Sequence, residues 1–139
     1  MKRLALLLLV VMTSGCAGRL YDPARATRAY PAERAHGETI LAQATRDGDD
    51  LVLVNATAQS FENIDIWVNR RYMLHIESFG AGATLVFPST EFFDMWGETP
   101  SPGGFFRTKK PTPLLLVELE IDDTSPLVGL VTVPGHQAF

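Results

Sequence analysis

The chain has 139 residues, 46% of them hydrophobic, and a formal charge of −4 from 16 acidic and 12 basic side chains. That length suits one domain rather than two, and the acidic balance excludes a general nucleic-acid binder, which presents a basic patch. A single cysteine leaves no disulfide framework and no thiolate metal site, so an apolar core has to hold the fold.

Residues 1–16 read MKRLALLLLVVMTSGC. Lys2 and Arg3 are followed by an unbroken apolar run over residues 4–12 and then by small residues, the order of a secretory signal peptide. At about 1.5 Å per helical residue the run reaches roughly 14 Å, against a bilayer core of about 30 Å. It is too short for a permanent span.

The small residues leading into Cys16 resemble the lipobox of bacterial lipoproteins, with Thr13 where that motif most often has leucine. The resemblance covers this stretch alone. It implies that residues 1–15 are removed, that Cys16 is acylated and that the protein is anchored in the cell envelope. Ala17 after the cysteine implies the outer membrane, with the domain facing the periplasm. One acyl chain holds weakly, and two or more anchor stably. Acylation would also remove a thiol that an exported protein would otherwise carry unpaired. Without the leader, ten basic residues face sixteen acidic ones, a formal −6 over 124 residues.

Residues 17–37 have no sustained periodicity. Pro23 and Pro31 break any long helix, and Arg19, Arg25, Arg28 and Arg34 outnumber Asp22 and Glu33. The segment reads as a flexible tether following the lipidated Cys16, dispensable for folding, with arginines able to touch an anionic surface. The remaining span, 38–139, reads as one domain.

Residues 38–45 and 51–55 flank an Asp-Gly turn signal and form an expected hairpin, with LVLV apolar on both faces as in a central strand. A solvated turn accounts for Asp47, Asp49 and Asp50, which lack the alternation and distal glutamate of a calcium loop. Residues 63–69 alternate, with Ile64, Ile66 and Val68 opposite Asp65, Trp67 and Asn69. Residues 72–79 and 84–87 follow after short turns, which predicts a three-stranded antiparallel meander.

Residues 88–113 carry five prolines and three glycines, and five aromatics: Phe92, Phe93, Trp96, Phe105 and Phe106. Ser89 is placed to cap one helical turn over residues 91–96, and the rest reads as a packed loop. Residues 114–121 alternate again, setting Glu118 and Glu120 on a face read as solvated, and residues 127–133 close the fold. About seven strands with regular turn signals predict an all-β, immunoglobulin- or fibronectin-III-like antiparallel sandwich, with a small barrel as the alternative.

No catalytic residue, metal ligand set or cofactor motif is assigned. His36, His75 and His136 lie far apart, and no nucleophile elbow or phosphate loop is present. Trp67 stands on a polar strand face, to be covered by the aromatic loop or to join Trp96, Phe105, Phe106 and Arg107 as a partner-binding surface. The expected function is a non-enzymatic envelope module held to the membrane by lipid, with a protein or glycan partner. The alternative is a small periplasmic hydrolase built from scattered Asp, Glu and His; a carboxylate–histidine pair in a cleft would favour it.

Overall fold

In a computed structural model, residues 21–103, 110–133 and 135 are described. They form an all-β domain of seven strands: β1 (His36–Asp47), β2 (Asp50–Asn55), β3 (Phe61–Val68), β4 (Tyr72–Phe79), β5 (Thr84–Pro88), β6 (Val117–Glu120) and β7 (Leu127–Val133). The strands make one sheet in the order β4-β3-β6-β7-β1-β2-β5. It folds over on itself and is nearly closed into a barrel. The arrangement is consistent with a β-sandwich of a β4-β3-β6-β7 and a β1-β2-β5 half joined at the β7–β1 seam as well as with a small barrel.

That seam is the main departure from the expected antiparallel sandwich. β1 pairs with β7 in parallel and with β2 in antiparallel fashion, and its register against β7 shifts twice, at 36/39 and at 40/43. Such irregularities bend and twist a strand locally, here along the seam. The expected β1–β2 hairpin is present, turning at Gly48, although β1 begins at His36. The three-stranded meander is not: β3 and β4 pair, but β5 crosses over and pairs with β2. β6 is shorter than its alternation suggested, because residues 114–116 run on without joining a ladder.

Alternation decides which side chains enter the core. Ile64, Ile66 and Val68 from β3 meet Val117 and Leu119 from β6, Ala42 and Ala44 from β1, and Leu51 and Leu53 from β2. Phe92 plugs the core from the long connection, edge-on to Phe87 with ring centroids 6.4 Å apart. Instead of the helical turn expected over 91–96, one 3-10 turn spans Ser89–Glu91, Pro88 occupies the cap position, and Ser89 makes no side-chain cap bond. Asn55, fully buried, donates its side-chain amide to the carbonyls of Gln59, Phe79 and Gly80 at 2.8–3.0 Å. It thereby ties together the two crossovers, β2 to β3 and β4 to β5.

The expected tether also differs. From Tyr21 onward it lies across the outer face of β3 and β6 as a strap, stitched down by hydrogen bonds such as Asp22 N–H to the Gly97 carbonyl at 2.7 Å and Thr27 N–H to the Asp94 carbonyl at 3.0 Å. Sequence hid this because a strap held by polar bonds has no apolar period to display.

Candidate functional site

The strap covers a layer of charge. Glu118 and Glu120, expected on a solvated face, are 4% and 5% exposed. Their partners come from the strap, from β3 and from the first residue of β1. Glu120 accepts from Arg28 at 2.6 Å, from Arg34 at 2.9 Å and from the Trp67 indole N–H at 2.8 Å. Glu118 accepts from the Tyr30 hydroxyl at 2.8 Å and meets His36 Nδ1 at 2.7 Å. Arg28 also bonds Asp65 at 2.6 Å, and Asp65 meets His75 Nδ1 at 2.7 Å. Glu120 and Asp65 are thus paired with arginine, and Glu118 is hydrogen-bonded, as burial requires. Burial, and then the bond to Glu118, push the Tyr30 hydroxyl well above the usual tyrosine range.

Trp67 is completely buried here and offers no face to a ligand. Its cover is the strap rather than the aromatic loop: Tyr30 packs edge-on and the Arg28 guanidinium lies 5.0 Å from the ring centroid. Trp96, by contrast, is 58% exposed. Phe105, Phe106 and Arg107, and with them Cys16, lie outside the described residues.

Trp96 belongs to a cleft of about 400 Å³ lined by Ala29, Tyr30, Arg70, Arg71, Asp94, Met95 and Trp96. Three elements build it. The strap supplies Ala29 and Tyr30. The β3–β4 turn supplies Arg70 and Arg71, since Asn69 and Arg70 both adopt left-handed backbone, φ 53° and 57°, the geometry of a two-residue hairpin turn. The third element is the loop after Phe93, whose backbone pairs with Met73 on β4 at 2.9 and 3.1 Å.

Asp94 fixes that loop. Its Oδ1 accepts from the N–H groups of Trp96 at 2.9 Å and Glu98 at 2.8 Å, and its Oδ2 accepts from Arg71 Nε at 2.8 Å. Burial pushes the Asp94 carboxyl up, but the bonds from Glu98, Arg71 and Trp96 outweigh it and hold the pKa below the usual range. Gly97 closes the turn at φ 84°, and a Cβ there would stand 2.2 Å from the Asp22 carbonyl oxygen. Trp96 is therefore exposed on a fixed backbone, not on a loose one. Ordering has been completed before any partner arrives, which favours binding.

A carboxylate holding a half-exposed imidazole, as in Glu118–His36, can serve acid–base chemistry. However, His36 does not line the cleft, and among the described residues its only side-chain bond is to Glu118. No group of three or more His, Cys, Asp and Glu among the described residues is placed to hold a metal ion. Arg70, Arg71 and Asp94 were missed from sequence. The signals were there: Asn-Arg-Arg between two alternating runs marks a tight turn with arginines at its tip, and Asp-x-x-Gly marks a side-chain-capped loop.

Compared with protein-family models, curated proteins and solved structures, the chain matches none.

Proposed function

We propose that the protein is a lipid-anchored, non-enzymatic module of the bacterial cell envelope, held at the outer membrane by acylated Cys16 and facing the periplasm. It binds or braces a protein or glycan partner through the Trp96 cleft. The observation that carries the reading is the content of the cleft: an exposed indole and two arginines on pinned backbone, with no histidine among its lining residues. Glu118 and Glu120 lie under the strap instead, engaged by Tyr30, Arg28 and Arg34, and the cleft's own carboxylate, Asp94, is taken up by Arg71 and two backbone N–H groups.

Two measurements test it. Cys16→Ser is expected to move the protein from the membrane to the soluble fraction; a variant as firmly bound as wild type removes the anchor. Trp96→Ala is expected to abolish capture of a defined envelope partner without lowering thermal stability. Undiminished capture removes the cleft from the mechanism.

A further inference from the structure

The strap enters the fold at the cleft. Tyr21 bridges to Glu98, and the Asp22 N–H bonds the Gly97 carbonyl, so the described chain begins one residue beyond the Trp96–Gly97 step. Only residues 17–20 separate Tyr21 from Cys16. Five extended residue steps span at most about 17 Å. An anchor at Cys16 would hold this corner, rather than any other part of the domain, against the bilayer.

The corner has the composition that an interface asks for. Tyr21, Met95 and Trp96 are 62%, 45% and 58% exposed, and all three come from the two segments that pair there. Tyr and Trp favour the headgroup level, with an apolar body and a polar edge. Beside them stands Arg70, exposed, facing the Tyr30 hydroxyl across the cleft and forming no ion pair among the described residues. Arg71 is different: Asp94 and Glu98 hold it at 2.7 and 2.5 Å. Arg70 also adopts φ 57°, where a glycine would sit without strain. An arginine at that position gains nothing for the turn, so its value lies in the side chain, which reaches the Tyr30 hydroxyl on one side and solvent on the other.

We propose that this corner docks on the membrane that carries the anchor, with Trp96, Met95 and Tyr21 in the headgroup region and the Arg70 guanidinium on a lipid phosphodiester. It rests on the envelope reading but assigns the cleft a first target, the bilayer surface itself. Guanidinium suits a phosphodiester because its planar fork donates two parallel bonds. The anchor supplies the high local concentration that so small a surface needs.

The test uses the full chain with its one cysteine coupled through maleimide to a lipid in phosphatidylethanolamine–phosphatidylglycerol vesicles carrying a nitroxide headgroup label. Coupling recreates the anchor whether or not the cell acylates Cys16, so the outcome is separate from that of the fractionation test. Tryptophan fluorescence is expected to be quenched in the tethered protein, and the quenching to disappear in Trp96→Phe, which leaves buried Trp67 as the only reporter. Arg70→Gly is expected to reduce the docked-to-undocked ratio about fivefold, what one arginine near a charged membrane contributes, with thermal stability unchanged or raised. Fluorescence equal to that of the free protein overturns the docking, as does quenching that survives Trp96→Phe or is untouched by Arg70→Gly. Capture of a protein or glycan through Trp96 with no quenching would leave the module standing and the docking refuted.

Discussion

The Tyr30 ring meets the Trp67 indole edge-on, with centroids 5.3 Å apart and planes at 88°, while its hydroxyl bonds Glu118. One strap residue thus closes the apolar and the charged parts of the same layer. Tyr30→Ala is expected to cost about 2–3 kcal/mol, from lost aromatic area, the edge-to-face contact and a charge-assisted bond. Urea unfolding checks the cost, and a red-shifted Trp67 emission in the native state checks that the cover has gone. A cost within 0.5 kcal/mol would return the strap to the role of a loose tether.

Glu120 gathers Arg28, Arg34 and the Trp67 N–H on two oxygens. Glu120→Ala leaves the buried Trp67 N–H without its acceptor and strips one bond each from Arg28 and Arg34, which keep Asp65 and the Asp122 and Ser125 carbonyls, so the expected cost is about 1–3 kcal/mol. The same change at exposed Glu62 or Glu77 is expected to stay within about 0.5 kcal/mol. Chemical denaturation of the three variants side by side reads the contrast.

Gly97→Ala puts a methyl group against the Asp22 carbonyl and a side chain at φ 84°. The 94–98 loop and the start of the strap have to separate. Expected results are a loss of more than 1 kcal/mol and faster amide exchange at Asp22 and Thr27, whose N–H groups bond the Gly97 and Asp94 carbonyls.

Acid is expected to loosen the same loop. The Asp94 pKa is lowered in the folded protein, so its contribution is present above the unfolded carboxylate value of about 3.9 and is lost as pH falls through the folded value. Asp94→Asn is expected to lower stability at neutral pH by about 2 kcal/mol and to flatten the acid limb of a stability profile recorded between about pH 5 and pH 2. At the other extreme, the raised Tyr30 pKa means stability present below about pH 10 and declining as pH rises toward ionisation of that half-buried hydroxyl. Tyr30→Phe is expected to remove that part of the decline.

Period-2 patterning exposed the strands, since Ile64, Ile66 and Val68 or Val117 and Leu119 state in sequence which face is inward. It could not expose pairing partners. Nothing in residues 84–88 says that β5 joins β2 rather than β4, because that choice belongs to the packing of two layers. Glu118 and Glu120 misled for a related reason: alternation separates two faces but does not say that the second face is covered. The cover comes from Arg28, Tyr30 and Arg34, spaced too irregularly to form a pattern. Trp96 was legible as an aromatic in a loop of prolines. What Asp94 and Gly97 do to hold it depended on three-dimensional neighbours, above all Asp22.

The parallel pairing of β1 and β7 carries a mechanical consequence. Six registered pairs join them, and because the strands run the same way, the leading end of β1 and the trailing end of β7 lie at opposite ends of one ladder. Traction that draws those two ends apart loads all of its rungs together, in shear. An antiparallel hairpin pulled from its open end would instead peel rung by rung at far lower force. A domain strung between a membrane and something fixed beyond it would be carrying its tension through the most resistant direction it has.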